Sequence, residues 1–437
     1  MARFRAGSAV ALGVSVAMLL AACGGGSDEP GASTAAPTGD GTEPVTLTWW
    51  HNGNNDPLLS YWQGVADAFT AENPNVTIEI EAIQNEDLRT RLQVALQSND
   101  PPDVLPQWGG GEQADQVKAD KLMDLTDLIP DAIESLGGAV GGWTTDGAVY
   151  GIPYTLGVGG FWYNKAMFAE AGIDQTPATW EEFFTAIDAL KAIGVAPIAV
   201  GAGDGWPAGW WYYFTAVKSC SPDTLQAATS SLDFSDPCFL KAGELLKEVI
   251  DAEPFNEGFL ATPAQQGATS SAGLLANGLA AMELMGHWDP SVMNGLTEDN
   301  LGLGADLGWF AFPDIPGTDG VPGAIIGGGD GFSCAKGAPA VCADFLAFIV
   351  NETNQNGFGA TGAGLPTLPA AAASVEDPNM ATLLEVRNNS PYVQLYLDTA
   401  FGTNVGTALN DAVVNMFAGQ ATPQDIVDAM VAAAKTV

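Results

Sequence analysis

The chain has 437 residues and is strongly acidic, with 52 Asp and Glu against 14 Lys and Arg and a formal net charge of −38 at pH 7. This balance leaves no basic patch for nucleic acid or for electrostatic attachment to a membrane, and it repels anionic ligands. Neutral and cationic solutes remain as partners, and the length allows two domain-sized cores.

The amino terminus has the features of an export signal followed by a lipid attachment site. Arg3 and Arg5 precede an apolar stretch at residues 9–20, which is too short to span a bilayer. The next residues, Leu20-Ala21-Ala22-Cys23, resemble the bacterial lipobox, in which the Cys thiol accepts a diacylglycerol. We therefore predict a signal peptide over residues 1–22 and a lipid on Cys23. The alternative is an ordinary signal peptide with a chance Cys.

Residues 24–44 are rich in Gly, Ser, Thr, Ala and Pro and contain few bulky apolar side chains. Such a segment cannot bury enough surface to fold, so residues 23–44 are predicted to form a lipidated flexible tether. The protein would then work outside the cytoplasm, held at the outer face of the cell membrane by its lipid alone.

Strand and helix patterns alternate beyond residue 44. Apolar runs and period-two patterns predict strands at residues 45–49, 76–82, 103–106, 196–200, 280–284, 307–312 and 324–326. Helical spacing predicts helices at residues 58–72, 87–97, 112–121, 180–193, 240–250 and 338–350, and mainly helices beyond about residue 380. Thr179 and Glu182 have the capping-box spacing that starts a helix. Strands regularly separated by helices are typical of an α/β fold with parallel sheets.

The same periodicity predicts which side chains are buried. Leu59 is placed on the inner face of helix 58–72, and Val94 on the inner face of helix 87–97. Trp49, Trp62 and Trp309 are predicted to be core or half-core residues.

Four Cys remain if Cys23 carries a lipid, and they allow three pairings. Cys220 and Cys238 enclose one polar loop, and Cys334 and Cys342 enclose another. In an oxidising compartment these two local disulfides are favoured. A metal site is the alternative, but the sequence has neither the CxxC spacing nor a nearby His. We therefore expect no metal.

Several segments, in order along the chain, match one known family. They are Trp49-Trp50-His51, Pro101-Pro102-Asp103-Val104, residues 150–154, Tyr163-Asn164-Lys165 with Ala171-Gly172-Ile173, residues 177–183, Ala281-Met282 with Gly286-His287-Trp288, and residues 327–332. Each segment is weak alone, but together and in this order they are specific. The chain resembles, over nearly all of residues 45–437, the extracellular solute-binding proteins of ABC-type sugar importers, the group that includes maltose-binding protein.

The resemblance implies an α/β fold of two lobes, each a sheet flanked by helices, joined by a hinge. Chain crossings are expected near residues 155, 315 and 360. The N-terminal lobe would then comprise residues 45–155 and 316–360, and the C-terminal lobe residues 156–315 and 361–437. Proteins of this kind close around a small carbohydrate, and the closed form is recognised by the permease subunits of the importer. The resemblance also implies a monomer with no cofactor and no catalytic residues.

Sugar recognition has a physical signature. The C–H faces of a pyranose ring stack on aromatic rings, and the hydroxyls hydrogen bond to Asp, Asn, Gln and Arg side chains. His51, Asn52 and Asn54 follow the first predicted strand, at the end where α/β sheets bind ligands. The full set of predicted sugar-binding residues is His51, Asn52, Asn54, Trp108, Tyr154, Asp204, Trp206, Trp288, Asp289 and Asp330. For the loop after the first strand, a solvated loop that caps the next helix stays an open alternative.

Residues 203–211 form the most loop-like aromatic cluster of the sequence. Asp204 could accept hydrogen bonds from two hydroxyls while Trp206 stacks on the sugar. At least one of Trp210 and Trp211 is predicted to be core, because adjacent residues cannot share one helix face.

The other candidates rest on local context or on the family. Trp108 precedes three Gly, which is an unusual setting for a core side chain. Trp288 and Asp289 match by position a family segment that often supplies a stacking Trp. Asp330 lies between two Gly, and a turn role is its alternative. His287 is predicted to have a structural role.

Three alternatives to sugar capture stay open. A secreted glycoside hydrolase also lines its site with carboxylates and Trp, but the HExxH, GxSxG and GxxxxGK[ST] motifs of other enzyme classes are absent from the sequence. A binding protein for a polyamine, a peptide or an amino acid would have the same fold. So would an adhesion or sensor lipoprotein without a transport role.

Overall fold

The computed structural model describes residues 43–436 as alternating strands and helices. The strands are β1 Val45–His51, β2 Val76–Ala82, β3 Val104–Gln107, β4 Thr144–Thr145, β5 Ala148–Val149, β6 Ile152–Pro153, β7 Gly157–Val158, β8 Gly160–Asn164, β9 Ala196–Ala199, β10 Ala280–Met285, β11 Leu307–Phe310, β12 Ile325–Gly328, β13 Gly331–Cys334 and β14 Val393–Leu395. The helices are α1 Leu58–Glu72, α2 Asn85–Ser98, α3 Gly110–Lys118, α4 Pro130–Leu136, α5 Lys165–Glu170, α6 Trp180–Ala192, α7 Trp206–Ser219, α8 Pro222–Ser231, α9 Pro237–Asp251, α10 Ser271–Ala276, α11 Asp289–Asn294, α12 Val341–Ile349, α13 Glu352–Ala360, α14 Pro378–Asn389, α15 Leu397–Ala400, α16 Thr403–Phe417 and α17 Pro423–Ala434. The predicted α/β class and the mainly helical C-terminal part are confirmed.

The first large sheet has the strand order β2-β1-β3-β13-β6. β1 runs parallel to β2 and β3, but β13 runs antiparallel to both β3 and β6. The predicted parallel arrangement is confirmed for β1, β2 and β3, and the antiparallel β13 makes the sheet mixed. β13 enters from a distant part of the chain, in the opposite direction, where no βαβ crossover dictates a parallel pairing. We call this sheet and the helices packed on it the first lobe.

The second large sheet has the strand order β11-β8-β10-β9 and is also mixed. β9 pairs parallel with β10, whereas β8 pairs antiparallel with β10 and β11. A smaller sheet, β14-β12-β7, adjoins it. We call the four-stranded sheet with α6, α7, α9, α10, α15 and α16 the second lobe. The lobe limits predicted at residues 155, 315 and 360 stay a prediction.

Each lobe has its own aromatic core. In the first lobe, Trp49 lies 5.5 Å from Trp62 and 5.2 Å from Phe332 between ring centroids, in edge-to-face contact. In the second lobe, Phe161 stacks on Phe310 at 5.0 Å, and Trp309 is buried at 9% exposure. The predicted core roles of Trp49, Trp62 and Trp309 are confirmed.

Two predictions of burial on helices were wrong. Val94 is 61% exposed, because the buried face of α2 is formed by Leu88, Leu92, Ala95 and Leu96. Val94 lies two residues from Leu92, and residues two apart on a helix face different sides. Leu59 lies in the first turn of α1 and is 41% exposed.

The aromatic segment at residues 206–219 is helix α7, so the prediction of a loop-like cluster there was wrong. Gly205 precedes the helix with a φ of +77°, and Pro207 occupies the first turn, where its missing N–H costs nothing. Every residue from Pro207 to Ser219 is buried. A helix buried on all sides has no polar face and therefore gives no periodic signal. Trp210 and Trp211 are both buried.

Both predicted disulfides are present. Cys220–Cys238 joins the end of α7 to the start of α9, and Cys334–Cys342 joins β13 to α12. Thr179 and Glu182 form the predicted capping box at the start of α6.

The predicted signal peptide, the lipid on Cys23 and nearly all of the tether lie outside the described residues. Among residues 43–436, no helix combines the length and the apolar character that crossing a membrane requires.

Candidate functional site

A cavity of about 140 Å³ lies between the two lobes, with side chains of both lobes on its walls. Seven of the ten predicted sugar-binding residues line it: Asn52, Asn54, Trp108, Tyr154, Trp206, Trp288 and Asp330. His51, Asp204 and Asp289 do not. Contact of any of these residues with a ligand stays a prediction.

The first lobe contributes polar side chains from the carboxyl ends of its parallel strands. Asn52 and Asn54 follow β1, while Gln84 and Asn85 follow β2 at the start of α2. Parallel strands bring these ends to the same edge of the sheet. The Asn52 Nδ2 donates a hydrogen bond to Asn85 Oδ1 at 3.2 Å. The result is a row of amide groups along one wall of the cavity.

Trp108, which follows β3, is fixed by two contacts. Its Nε1 donates a hydrogen bond to Asp330 Oδ1 at 2.7 Å, and the Arg89 guanidinium lies 4.7 Å from its ring centroid. Burial raises the pKa of Asp330 to about 6, against the opposing effects of the Trp108 hydrogen bond and the Arg89 charge. One oxygen of Asp330 is thus engaged by Trp108, and the other can accept from a ligand.

Arg89 is the cation of this wall, and carboxylates surround it. Its Nη2 lies 3.8 Å from Glu112 Oε2. Partial burial disfavours the charged guanidinium, but Glu112, Asp398 and Glu86 outweigh that effect and raise the pKa of Arg89. The excess of carboxylates over cations around the cavity disfavours anionic ligands.

The second lobe contributes aromatic rings. Trp206 and Trp210 come from the start of α7, Trp288 directly precedes α11, and Tyr396 precedes α15. Trp210 stacks on Tyr396 with centroids 4.7 Å apart. Trp288 lies edge-to-face with Trp210 at 5.7 Å and 6.4 Å from Trp206. Trp206 and Trp288 are half-buried, so parts of their rings remain open to a ligand.

Two further groups of the lining are buried. The His287 Nε2 lies 3.0 Å from Thr155 Oγ1, and burial, with Arg387 nearby, lowers the pKa of His287 to about 3. His287 is therefore neutral, and its hydrogen bond to Thr155 fits the predicted structural role. The Tyr396 hydroxyl is buried without a hydrogen-bond partner among the described residues, which leaves a donor for a ligand. Tyr154 lines the cavity at 3% exposure, with its ring stacked on Phe332 at 5.1 Å.

The three remaining predicted residues point elsewhere. His51 is buried against Trp49 at 4.8 Å, and burial lowers its pKa to about 4. Side chains alternate along a strand, so His51 faces the core while Asn52 faces the cavity. Asp204 Oδ2 accepts a hydrogen bond from the Ala264 backbone N–H at 2.7 Å.

Asp289 is fully buried beside Glu283 of β10. Burial raises the pKa of Asp289 to about 8 and that of Glu283 well above its usual range. The neighbouring Asp289 raises the pKa of Glu283 further. Burial therefore favours the protonated form of both acids, which lie beneath the segment that carries Trp288.

Other residues of the lining were not predicted. They are mainly Gln84, Asn85, Arg89, Tyr396 and Asp398. Gln84 and Asn85 follow a predicted strand, so the strand-end argument used for Asn52 could have found them. Tyr396 and Asp398 follow β14, which has three residues and too short a pattern to recognise in the sequence.

Residues 52–356 match the model of the bacterial extracellular solute-binding protein family. Among curated proteins, an ABC transporter extracellular-binding protein of Pyrococcus horikoshii is 30% identical over 59% of this chain, and the chain spans 58% of the length of that relative. A diacetylchitobiose-binding protein of Streptomyces coelicolor is 27% identical, over 84% of this chain and 83% of its own.

Solved structures of similar proteins share the fold described above. A chitin oligosaccharide binding protein is 25% identical, with a TM-score of 0.81 over 90% of this chain and 98% of its own. A maltose-bound protein of T. maritima is 20% identical, with a TM-score of 0.72 over 90% of this chain and 99% of its own. These likenesses confirm the predicted two-lobe fold.

Proposed function

Because the chain belongs to the family of bacterial extracellular solute-binding proteins, we propose that its cavity captures a small carbohydrate and that the loaded protein delivers it to an ABC importer. The observation that carries the proposal is the pairing of half-buried Trp206 and Trp288 with a facing row of amides and Asp330. Rings bind the apolar faces of a pyranose, while amides and carboxylates bind its hydroxyls.

Other features support a neutral sugar over an anionic solute. The carboxylates around Arg89 disfavour an anionic ligand. The Tyr396 hydroxyl, which has no hydrogen-bond partner among the described residues, can donate a hydrogen bond to a sugar oxygen. Two relatives are named for sugars, as a diacetylchitobiose-binding protein and a chitin oligosaccharide binding protein.

The test is calorimetric titration of residues 45–437 with a panel of mono- and oligosaccharides, together with spermidine and short peptides as controls. We expect at least one sugar to bind with a Kd of about 1 μM or tighter, about −8 kcal/mol, and to change the Trp fluorescence. No heat and no rise in Tm with any sugar would refute the proposal. Binding of spermidine alone would replace the sugar by a polyamine.

We also propose that the protein releases its ligand unchanged. The cavity contains Asp330 and Asp398, and a glycoside hydrolase also uses two carboxylates. Prolonged incubation with the best-bound oligosaccharide, followed by chromatography, is expected to return the intact sugar. Accumulation of a shorter sugar or of a new reducing end would identify an enzyme instead.

We propose that a lipid on Cys23 holds the protein at the membrane, which keeps it near the permease at a high effective concentration. Wild-type protein expressed with its full leader is expected to enter the detergent phase of a Triton X-114 extraction, with the mass of a diacylglyceryl group. The Cys23→Ala variant is expected in the aqueous phase. Equal partitioning of the two proteins would rule out the lipid anchor.

A further inference from the structure

A chain of hydrogen bonds crosses between the lobes at the edge of the cavity. Asn52 Nδ2 donates to Asn85 Oδ1 at 3.2 Å, and Asn85 Nδ2 donates to Glu86 Oε1 at 2.9 Å. From the second lobe, Trp206 Nε1 donates to the same Glu86 Oε1 at 3.2 Å. We call these four residues the rim.

The rim lies at the edge of the cavity, next to an exposed residue. Asn52, Asn85 and Trp206 line the cavity, whereas Asp87, next to Glu86, is exposed. Glu86 and Trp206 are themselves half-buried. A ligand that extended past this point would have to break the contact between Glu86 and Trp206.

The wall near Trp108 and Asp398 is closed more tightly. There α3 of the first lobe meets the segment between α15 and α16 of the second. A Cβ atom on Gly111 would lie 2.6 Å from the Gly402 backbone nitrogen, and one on Gly110 would lie 3.0 Å from the Thr399 carbonyl oxygen. These backbones are in direct contact, so a sugar chain has no exit on this side.

The aromatic faces that remain open are few. Trp210 is stacked on Tyr396, Tyr154 on Phe332, and Arg89 covers one face of Trp108. Among residues 43–436 no ring stacks on Trp206 or Trp288, and the centroids of these two rings lie only 6.4 Å apart. At that distance the two rings contact each other. They are tilted at 56° to each other and together form one angled aromatic platform.

The volume agrees with a single platform. A cavity of about 140 Å³ has room for roughly ten water molecules. That space holds one or two sugar rings and not an extended oligosaccharide.

We infer that the site takes a mono- or disaccharide, and that the rim formed by Asn52, Asn85, Glu86 and Trp206 sets this limit on chain length. The inference rests on the proposed function and adds the size class of the sugar. It makes Glu86 a specificity-determining residue that lies outside the lining of the cavity.

The first experiment measures wild-type affinity along homologous series. Glucose to maltotetraose, xylose to xylotetraose and N-acetylglucosamine to its tetramer are titrated by calorimetry. In the series that binds best, the tightest member is expected to have one or two rings, and a third ring is expected to weaken binding tenfold or more. A trisaccharide or tetrasaccharide that binds tightest would overturn the inference but leave the proposed function standing. Absence of binding in these series and in the whole sugar panel would refute both.

The second experiment opens the rim. Glu86→Ala removes the acceptor that joins the lobes, so the ratio of trisaccharide to disaccharide affinity is expected to rise at least fivefold over wild type. Trp206→Phe keeps a ring but removes the donor, and is expected to raise the same ratio.

The second lobe offers a matched control. Trp180 Nε1 of α6 donates a hydrogen bond to Glu248 Oε2 of α9 at 2.9 Å, and neither residue belongs to the rim. Glu248→Ala and Trp180→Phe lose the same kind of hydrogen bond and are expected to leave the ratio unchanged. Tm is measured for all four variants, and either rim variant that folds suffices for the test. An unchanged ratio in a folded rim variant, or an equal rise in the controls, would show that the rim does not set chain length.

Discussion

The two walls of the cavity differ in chemistry and in how they are built. The first lobe supplies amides and Asp330 from loops at strand ends, while the second lobe supplies rings from α7 and from the segments before α11 and α15. Amides form directional hydrogen bonds and so select one arrangement of hydroxyls. Rings contribute contact area, which adds affinity with less directional preference. On the proposed function, we expect the first lobe to select the sugar and the second lobe to contribute most of the affinity.

The largest expected effect tests the aromatic wall. Trp288→Ala removes half of the open platform and is expected to weaken sugar binding by about 2–3 kcal/mol, the sum of lost area and stacking. Calorimetry measures the change, and circular dichroism checks the fold. Trp288→Phe is the conservative control and is expected to retain most of the affinity. Trp288→Ala with wild-type affinity would place the platform elsewhere.

The next effect concerns the buried acids beneath that wall. The pKa values of Asp289 and Glu283 are raised, so the folded state holds their protons where the unfolded chain has lost them. Their contribution to stability is therefore fully present below about pH 4 and is lost as pH rises through about 8.

The Asp289→Asn variant keeps the shape of the side chain but has no carboxyl group that titrates. It is expected to raise the free energy of unfolding at pH 8 by at least about 1.4 kcal/mol, the equivalent of one pKa unit, because the pKa of Asp289 is raised by more than one unit. Little change is expected at pH 4. Urea unfolding at both pH values measures this, and a variant that is equally destabilised at both would contradict it.

A smaller effect is expected on the amide wall. Asn54→Ala is expected to weaken the best sugar by about 1 kcal/mol, which is typical of one hydrogen bond. Its distinguishing result is selectivity. Affinities for epimers of that sugar should converge in this variant, whereas in Trp288→Ala they should fall together. Converging affinities in Trp288→Ala would reverse the roles assigned to the two lobes.

The smallest effect is the pH dependence of binding. Asp330 has a pKa of about 6, so it loses its charge as pH falls from 7 to 5. A protonated carboxyl is a weaker acceptor, and sugar affinity is expected to fall by a factor of about three to five. Asp330→Asn is expected to show no such dependence between these pH values. The same slope in the variant would assign the titration to another group.

The contrast between the walls also explains what the sequence could predict. The bounds of α1 and β2 were predicted to the residue, because their periodic patterns are clean. Asn52, Asn54 and Trp108 follow predicted strands, so topology alone brought them to the site. His51 failed the same argument because the last residue of β1 still obeys the alternation of the strand.

The aromatic wall was less accessible to sequence analysis. α7 is buried on every side and shows no helical period. Tyr396 and Asp398 follow a short strand whose partner, β12, lies far away in the chain. Such positions are set by tertiary contacts that no local pattern contains.

The direct backbone contact at Gly111 has a practical consequence for engineering. A single methyl group there would act as a wedge, since its carbon would lie 2.6 Å from the Gly402 nitrogen. On the proposed function, graded wedges at position 111, combined with a fluorophore on Asp87, are expected to give a family of optical sugar sensors. A larger wedge is expected to weaken sugar binding without altering any residue of the cavity lining.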